Sequence, residues 1–483
     1  MTSDELISSS ATSLARLIRA RAVSPVEVAE SYLRRIEALN PRLNAIVTIA
    51  PDVLERAREA EARVMRGEAT GALHGVPLTV KDTIDTGGVR STSGSRVRAN
   101  YVPAEDAPAV ARLRAAGAIL LGKTNVSEMA LTYESDNPLF GHTNNPHDLR
   151  LTAGGSSGGE AAAISSCLCA AGLGSDLSGS IRIPAHFCGI SGLKPTTGRV
   201  PCAGHVPPST GPYSLGATIG PMARSVEDLS LILSVIAGYN AAESVSAPIA
   251  GNGSPHARLS LQGCRVAWYT DDDVSPVSDG TRRAVRAAVS ALEEAGLLAT
   301  ERLPPGISRG PHLWLALFSR AIRGHLLEMY GGREEEAGDF ARFMLGSLTV
   351  GPQPAMDDFV NAWAERDGLR ARLVEWMTET PLIVAPVGAS HAFAHGARRL
   401  EIDGQTLGIF RAFGYSQTFN VYGLPAVSVP AGRSPEGLPI GVQIIGRPFQ
   451  EEAVLAAAFV VEEALGGWRM PPVALSPAGH NPL

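Results

Sequence analysis

Residues 153–186 constrain this chain more than any other segment. They read AGGSSGGEAAAISSCLCAAGLGSDLSGSIRIPAH, in which two loops rich in glycine and serine flank an alanine-rich stretch. Glycine lets a backbone approach another group closely or adopt positive φ, but it loses more conformational entropy on folding than other residues. A segment that serves only to fill the core does not need two such loops. Loops of this kind that carry hydroxyl groups often belong to a functional site. Ser156 in the first loop and Ser180 in the second are therefore candidate site residues.

The stretch between the two loops is predicted to run away from this site and return to it. Residues 160–172 are rich in alanine and lack internal glycine and proline, which predicts a buried helix about 20 Å long. Residues 173–178, if extended, cover about 20 Å in the opposite direction. We therefore expect Ser180 beside Ser156, close to the N-terminus of the helix, where free N–H groups and the helix dipole favour an anion.

The candidate base lies upstream, at the end of an apolar run. Residues 75–82 read GVPLTVKD, a β-like segment that ends in Lys81. A serine hydroxyl is a poor nucleophile until a base removes its proton. Burial lowers the pKa of a lysine toward the value that such a base needs. The alternative for Lys81 is a strand-end side chain that reaches water or pairs with Asp82.

Together these pieces resemble the amidase signature family. GVPLTVKD at 75–82, GGSSGG at 154–159 and SDLSGSIRIPAHFCGISGLKPT at 175–196 match the family's pattern in order and spacing. LPAVSVPAG at 424–432 and LPIGVQIIGRPFQEEAVL at 438–455 are also similar to it, so the resemblance covers most of the chain. It implies the amidase-signature fold, a large mixed β-sheet sandwiched between helices on both faces.

The resemblance also implies roles for residues of the two loops. Ser180 would be the nucleophile that forms an acyl-enzyme, Ser156 a bridging serine after a cis peptide bond, and Lys81 the neutral base. Main-chain N–H groups would form the oxyanion hole, and further side chains would brace the loops. The oxyanion-hole residues are Leu177, Ser178, Gly179 and Ser180, and the supporting residues are Ser157, Asp176 and Arg182. Ser178 stands where the family usually has glycine, so a positive φ at that position would carry a steric penalty.

The order of elements along the chain predicts an α/β fold. From about residue 75 onward, short apolar strands alternate with helices, which is typical of a sheet covered on both faces. We predict a single domain over 1–483, with a helical subregion around 305–380 that in the family helps to shape the substrate cavity. Predicted strands are 76–81, 118–122, 190–194, 264–269, 381–385, 425–430 and 439–446, and predicted helices are 11–21, 25–39, 51–66, 106–116, 225–238, 279–296 and 451–465.

Composition and charge exclude several classes of protein. The 483 residues carry a net charge of −6, without the basic patch that nucleic-acid binding needs. No apolar run reaches the ~18 residues expected of a membrane span, and the N-terminus lacks the pattern of a secretory signal. The five cysteines are irregularly spaced, which fits a reduced, cytoplasmic protein without a zinc site or other cofactor. Whether the chain forms a homodimer stays open, since no heptad repeat or exposed apolar stripe in the sequence indicates one.

Two short patterns are interpreted as ordinary structure. Residues 117–124, GAILLGKT, satisfy the phosphate-loop expression, but their apolar middle predicts a strand where a flexible cradle would be required. His391 and His395 are spaced like a helical zinc pair, yet the glycine-containing sequence around them predicts a loop.

Three residues outside the glycine-rich loops are candidates for the substrate pocket. Met129 and Tyr133 follow the strand that contains Lys123, a region that by resemblance borders the acyl-binding side. His205 lies in the loop GHVPPSTGPYS, which could place it near the mouth of a cavity. The alternatives are core positions for Met129 and Tyr133 and a solvated loop position for His205.

Three functions stay open at this point. The first is hydrolysis of the C–N bonds of small-molecule amides, with carbamates and esters as further substrates, by Lys81, Ser156 and Ser180. The second is the glutamine-hydrolysing subunit of a tRNA-dependent amidotransferase, which shares the three motifs and needs partner subunits. The third is a binding protein of the same fold that no longer turns over, for which Ser178 is the sequence evidence.

Overall fold

The computed structural model describes residues 1–246, 259–347 and 355–475, which form a large β-sheet of 11 strands, two small hairpins and the helices around them. The strands are β1 (Ile46–Ile49), β2 (Pro77–Lys81), β3 (Ile119–Thr124), β4 (Asn144–Asn145), β5 (Asp148–Thr152), β6 (Ala171–Asp176), β7 (Ser191–Lys194), β8 (Thr218–Ala223), β9 (Arg265–Trp268), β10 (Leu298–Glu301), β11 (Leu382–Pro386), β12 (Arg399–Ile402), β13 (Gln405–Gly408), β14 (Ala426–Arg433) and β15 (Pro439–Gly446).

The α-helices are α1 (Ser3–Ser8), α2 (Ala11–Arg19), α3 (Pro25–Leu43), α4 (Val53–Met65), α5 (Pro108–Ala115), α6 (Gly158–Ser165), α7 (Arg182–Cys188), α8 (Val226–Ile236), α9 (Asp279–Glu294), α10 (Gly310–Tyr330), α11 (Asp339–Ser347), α12 (Met356–Trp376), α13 (Ile409–Ala412), α14 (Gly414–Val421), α15 (Glu451–Leu465) and α16 (Pro472–Leu475). Short 3₁₀ helices cover Arg96–Arg98, Glu128–Ala130, Gly211–Leu215, Ile307–Arg309 and Glu334–Glu336. The segment around 305–380 is thus helical where it is described, as predicted.

The large sheet is mixed, as predicted. Its strands lie in the order β1-β3-β2-β6-β8-β7-β14-β15-β11-β9-β10. β2 runs parallel to β3 and β6, whereas β14 is antiparallel to β7 and β15. Parallel neighbours end at the same edge of a sheet. Lys81, the last residue of β2, therefore lies close to Ser175 and Asp176 at the end of β6.

Helices cover both faces of this sheet. Val442 and Ile444 of β15 belong to one hydrophobic cluster, which includes Val454 of α15, whereas the next residue, Ile445, belongs to a second cluster with Phe419 of α14. Successive side chains of a strand point to opposite faces. The two clusters therefore lie on opposite sides of the sheet, and the predicted sandwich is confirmed.

The alanine-rich segment after the first loop forms a shorter helix than predicted. α6 ends at Ser165, the chain turns with Cys167 at a φ of 57°, and β6 begins at Ala171. The prediction of one helix over 160–172 is therefore wrong. Residues 171–176 pair with β2 on one side and β8 on the other, and this pairing outweighs the helix propensity of alanine. The predicted path away from the loop and back to it is unaffected.

Three strands of the sheet were not predicted. β8 has the sequence TIGPMA, in which glycine and proline interrupt the pattern of a strand. β1 and β10 have only four residues each, at the two ends of the strand order. Their pairing depends on neighbours that are distant in sequence, which a local pattern does not reveal.

The phosphate-loop expression at 117–124 falls on a strand, as predicted. Lys123 is buried within β3 and donates hydrogen bonds to the Ile84 carbonyl oxygen and to Thr86 Oγ1. His391 and His395 lie in a loop. Among the described residues, no group of three side chains is arranged to ligate a metal, and no helix has the length and apolar character of a membrane span.

Candidate active site

The amine of Lys81 is buried beside two serines. Its Nζ lies 2.7 Å from Ser156 Oγ, 2.9 Å from Ser175 Oγ and 3.4 Å from the Ser175 carbonyl oxygen. Burial lowers the pKa of Lys81 to about 7, although the charges of Asp176 and Glu160 act in the opposite direction. An amine with such a pKa is partly uncharged at neutral pH and can accept a proton from a neighbouring hydroxyl.

Neither alternative for Lys81 occurs in the structure. The residue is 0% exposed, so its amine does not reach water. The carboxylate of Asp82 instead accepts hydrogen bonds from Thr92, at 3.0 Å from its main-chain nitrogen and 2.5 Å from its Oγ1. The lysine at the end of this strand is therefore directed toward the serine loops.

The first glycine-serine loop holds Ser156 just before helix α6. The peptide bond between Gly155 and Ser156 is cis, as the resemblance implied. Ser135 Oγ donates to the Ser156 carbonyl oxygen at 3.1 Å. Ser157 Oγ lies 3.3 Å from the Ser175 carbonyl oxygen and 3.4 Å from its main-chain nitrogen, and so ties this loop to β6.

Ser180 shares a small cavity with Ser156. This cavity has a volume of about 40 Å³, and Met129 and His205 also line it. The main-chain N–H of Ser157 donates to the Ser180 carbonyl oxygen at 3.2 Å and joins the two loops. Among the described residues the Ser180 hydroxyl has no hydrogen-bond partner, and it faces the cavity. The two hydroxyls share this space without a direct hydrogen bond between them.

The main chain at 177–180 offers three unused N–H groups. Gly179 has a φ of 108°, and its N–H donates to Asp176 Oδ1 at 2.7 Å, so it is not available to a ligand in this conformation. The hydrogen bonds of the described residues leave the N–H groups of Leu177, Ser178 and Ser180 without an acceptor. The positive φ falls on Gly179 and not on Ser178, so the serine at position 178 carries no steric penalty.

A buried ion pair braces this second loop. Arg182 donates to both carboxylate oxygens of Asp176, at 3.1 Å from Nε and 3.0 Å from Nη2, and both side chains are fully buried. Asn420 Nδ2 and the Ile181 N–H also donate to this carboxylate. Burial alone would raise the pKa of Asp176, but the charge and hydrogen bonds of Arg182, the Lys194 charge and the Gly179 N–H hold it well below its usual range. Asp176 is thus a fully satisfied anion.

Tyr133 lies outside the small cavity, unlike Met129 and His205. Its hydroxyl donates to the Ser178 carbonyl oxygen at 3.0 Å and accepts from Gln417 Nε2 at 2.8 Å. The ring lines a neighbouring groove of about 680 Å³. Tyr133 therefore contacts the second loop through the Ser178 carbonyl oxygen and does not line the small cavity. His205 is only 9% exposed, so the solvated loop position is excluded.

Helix α10 contributes cavity residues that sequence analysis missed. Trp314, Ile322 and His325 line the cavity, and Trp314 Nε1 donates to the Leu177 carbonyl oxygen at 2.8 Å. Both ring nitrogens of His325 are buried without a hydrogen-bond partner among the described residues, and burial lowers its pKa. These three residues were not singled out from the sequence, because nothing in the local pattern distinguishes them from other core positions of a helix.

Comparisons with known proteins agree with this architecture. A family model described as Amidase matches residues 27–455. The chain belongs to the amidase family. This amidase-family chain is 33% identical over 482 residues to a subunit of glutamyl-tRNA(Gln) amidotransferase from Carboxydothermus hydrogenoformans, and the match covers 95% of the chain and 98% of that protein.

Solved structures of amidase-signature enzymes have the same fold. The amidase-family chain matches a bacterial aryl acylamidase with a TM-score of 0.87 and 26% identity, covering 98% of this chain and 99% of that one. It matches 6-aminohexanoate cyclic dimer hydrolase with a TM-score of 0.86 and 29% identity, covering 97% of this chain and 100% of that one. The amidase-signature fold is thereby confirmed, and its enzymes act on C–N bonds.

Proposed function

We propose that this chain is a serine amidase that cleaves the C–N bond of amides through an acyl-enzyme on Ser180. The observation that carries the proposal is the buried amine of Lys81, which lies 2.7 Å from Ser156 Oγ next to a cavity that the unpartnered Ser180 hydroxyl also faces. A serine nucleophile needs a base within reach, and a desolvated lysine fills that role without a histidine.

The proposed reaction begins with two proton transfers. Ser156 gives its proton to Lys81 and takes the proton of Ser180, whose oxygen attacks the carbonyl carbon. The N–H groups of Leu177, Ser178 and Ser180 then stabilise the negative oxygen, and each such donor is worth ~3–4 kcal/mol in comparable enzymes. The proton returns through Ser156 to the leaving nitrogen, and the C–N bond breaks. Water, deprotonated through the same pair, finally releases the acid and restores Ser180.

The surroundings of the cavity favour an amide with an apolar substituent. The cavity shares Leu131, Trp314 and Ile322 with an adjoining groove of about 440 Å³, whose walls also include Phe340 and Phe410. An apolar group gains free energy when it leaves water for such a groove. Because Asp176 is already paired with Arg182, it offers no free charge to a substrate.

The second candidate is the glutamine-hydrolysing subunit of an amidotransferase. Its support is the 33% identity to a glutamyl-tRNA(Gln) amidotransferase subunit over 95% of the chain. The groove of about 680 Å³ beside Tyr133 also carries Arg96, Glu128 and Arg398, which could pair with the charged groups of free glutamine. The third function, a binding protein without turnover, rests on Ser178, and because Ser178 is not among the residues with positive φ, no backbone strain at this position favours it.

A panel of amides distinguishes the two candidates. For anilides with acyl chains of increasing length, we expect kcat/KM to rise roughly fourfold per methylene, because burial of each CH₂ is worth ~0.8 kcal/mol. Free glutamine should be hydrolysed far more slowly. Steady-state rates of amine or ammonia release measure both. Glutamine as the best substrate, or stimulation of glutaminase activity by charged tRNA and copurified subunits, would contradict the proposal in favour of the second candidate.

The pH profile tests Lys81 as the base. Since the pKa of Lys81 is lowered to about 7, the amine is protonated and inactive below that value and neutral above it. We therefore expect kcat/KM to rise about tenfold per pH unit on the acidic side and to level off above an apparent pKa near 7. Initial rates between pH 5 and pH 9 give the profile. A rate that falls steadily above neutrality would contradict a lysine base.

A further inference from the structure

His205 is connected to Lys81 through one hydroxyl group. His205 Nε2 lies 2.7 Å from Ser175 Oγ, and this oxygen lies 2.9 Å from Lys81 Nζ. On the other side of the ring, Nδ1 lies 2.8 Å from the Pro207 carbonyl oxygen. Thr83 Oγ1 is a second, longer neighbour of Nε2, at 3.2 Å. The ring therefore has polar partners at both nitrogens.

These contacts fix the tautomer of the ring. A carbonyl oxygen can only accept a hydrogen bond, so Nδ1 must carry the hydrogen that faces Pro207. Burial, together with the neighbouring charge of Lys81, lowers the pKa of His205 to about 3, so the imidazole is neutral. Nε2 is then an acceptor, and the Ser175 hydroxyl donates its hydrogen to it. Only lone pairs of Ser175 Oγ are left to face Lys81.

The direction of this hydrogen bond decides where the lone pair of Lys81 points. A neutral amine has two N–H groups and one lone pair. With the Ser175 hydroxyl turned to His205, the two N–H groups can donate to Ser175 Oγ, at 2.9 Å, and to the Ser175 carbonyl oxygen, at 3.4 Å. The lone pair is left for the Ser156 hydroxyl, which is the direction that proton abstraction needs.

We propose that His205 is a positioning residue that holds the Ser175 hydroxyl away from Lys81 and so directs the lone pair of the amine to Ser156. Without an acceptor at this place, the Ser175 hydroxyl can turn and donate to the amine. Lys81 would then donate to Ser156 instead of accepting its proton. The inference rests on the proposed function, because the orientation of the base matters only if Lys81 takes a proton from Ser156.

The test replaces the acceptor and restores it. His205→Phe removes the acceptor, and we expect the kcat for an anilide to fall roughly 10- to 100-fold. This loss is smaller than the loss of a general base itself, because Lys81 is still present. Because His205 also lines the cavity, the phenylalanine ring can change KM as well, so the effect on the base is measured as the change in kcat at saturating substrate. His205→Gln can place its Oε1 near the position of Nε2 and should recover most of the loss. Thermal melts of each variant check that it is folded.

A double-mutant cycle with Ser175 separates this role from a merely structural one. In Ser175→Ala there is no hydroxyl to turn toward Lys81, so adding His205→Phe should lower the rate by less than about threefold. Equal losses in both backgrounds, or no rescue by glutamine in a folded variant, would overturn the inference. If His205→Phe does not fold, His205→Asn, which can keep a donor near Pro207 but lacks the distal acceptor, replaces it in the same cycle.

The wild-type protein distinguishes the two possible failures. Absence of amide hydrolysis and of fluorophosphonate labelling in the wild-type chain would contradict the proposed function. A wild-type enzyme that is active, with a His205→Phe variant of equal activity, would overturn only the role of His205.

Discussion

Replacing Ser180 by alanine is expected to lower kcat/KM for an anilide by roughly four to six orders of magnitude and to abolish covalent labelling by a fluorophosphonate. The reason is that Ser180 Oγ faces the cavity without a partner among the described residues and would bond to the acyl carbon. Lys81→Met removes the base and should cost roughly 10²–10⁴-fold. Because the groups act as a unit, the double variant should be no worse than Ser180→Ala alone. Release of aniline and the mass of the labelled protein measure both effects.

Two buried residues of the same types serve as matched controls. Ser428 is buried in β14, and its hydroxyl has no partner among the described residues. Lys123 is buried in β3, next to the strand of Lys81, and does not line the cavity. Ser428→Ala and Lys123→Met should keep labelling at Ser180. Full turnover by Ser180→Ala, or equal losses in the controls, would contradict the assignment of the nucleophile.

Arg182→Met is expected to produce the largest loss of stability, about 3–5 kcal/mol in the free energy of unfolding. The substitution leaves the carboxylate of Asp176 buried without its ionic partner, which normally donates to both of its oxygens. The pKa of Asp176, now depressed, should rise, since burial then has no charge to oppose it. Urea denaturation of wild type and variant measures the difference.

The pH dependence and a surface control make this prediction specific. In the wild type, the stabilising effect of a depressed Asp176 pKa is present above the unfolded value of about 4 and is lost as pH falls toward the folded value. In Arg182→Met the pKa of Asp176 is raised, so protonation of this carboxyl at low pH relieves the variant. The difference in the free energy of unfolding between wild type and variant should therefore become smaller as pH is lowered. Arg150, which pairs with Asp148 on the surface and has an 88% exposed side chain, is the control. Arg150→Ala should cost less than about 1 kcal/mol, and an equal loss would contradict the importance of burial.

The local sequence was sufficient to locate the candidate site. Lys81 ends an apolar run, and the two serine loops contain glycine where the main chain needs it, as at Gly179 with its φ of 108°. These features are encoded in a few consecutive residues, so they can be recognised without knowledge of the fold. The same holds for the strand over Ile119–Thr124, whose apolar run outweighed the match to a phosphate-loop expression.

The local sequence was insufficient where contacts between distant parts of the chain decide the structure. Residues 171–176 follow a helix-forming sequence, yet they form a strand because they pair with β2 and β8. A pocket position and a core position were both open for Tyr133, and the buried ring, with its hydroxyl bonded to the Ser178 carbonyl oxygen, could not be placed from the local pattern. The contribution of His325 from α10 could not be predicted, since it depends on how a helix more than a hundred residues downstream packs on the loops.

The sequence by itself determined the chemistry available to this protein: a lysine at the end of a buried strand, two serines in glycine-rich loops, and the family pattern that joins them. Only the tertiary structure decided the state of those groups. The pKa of Lys81 falls to about 7 because folding buries its amine, and Ser175 Oγ lies 2.7 Å from Nε2 of His205, thirty residues further along the chain. Burial and hydrogen-bond direction depend on all neighbours in space, whereas a motif records only neighbours in the chain.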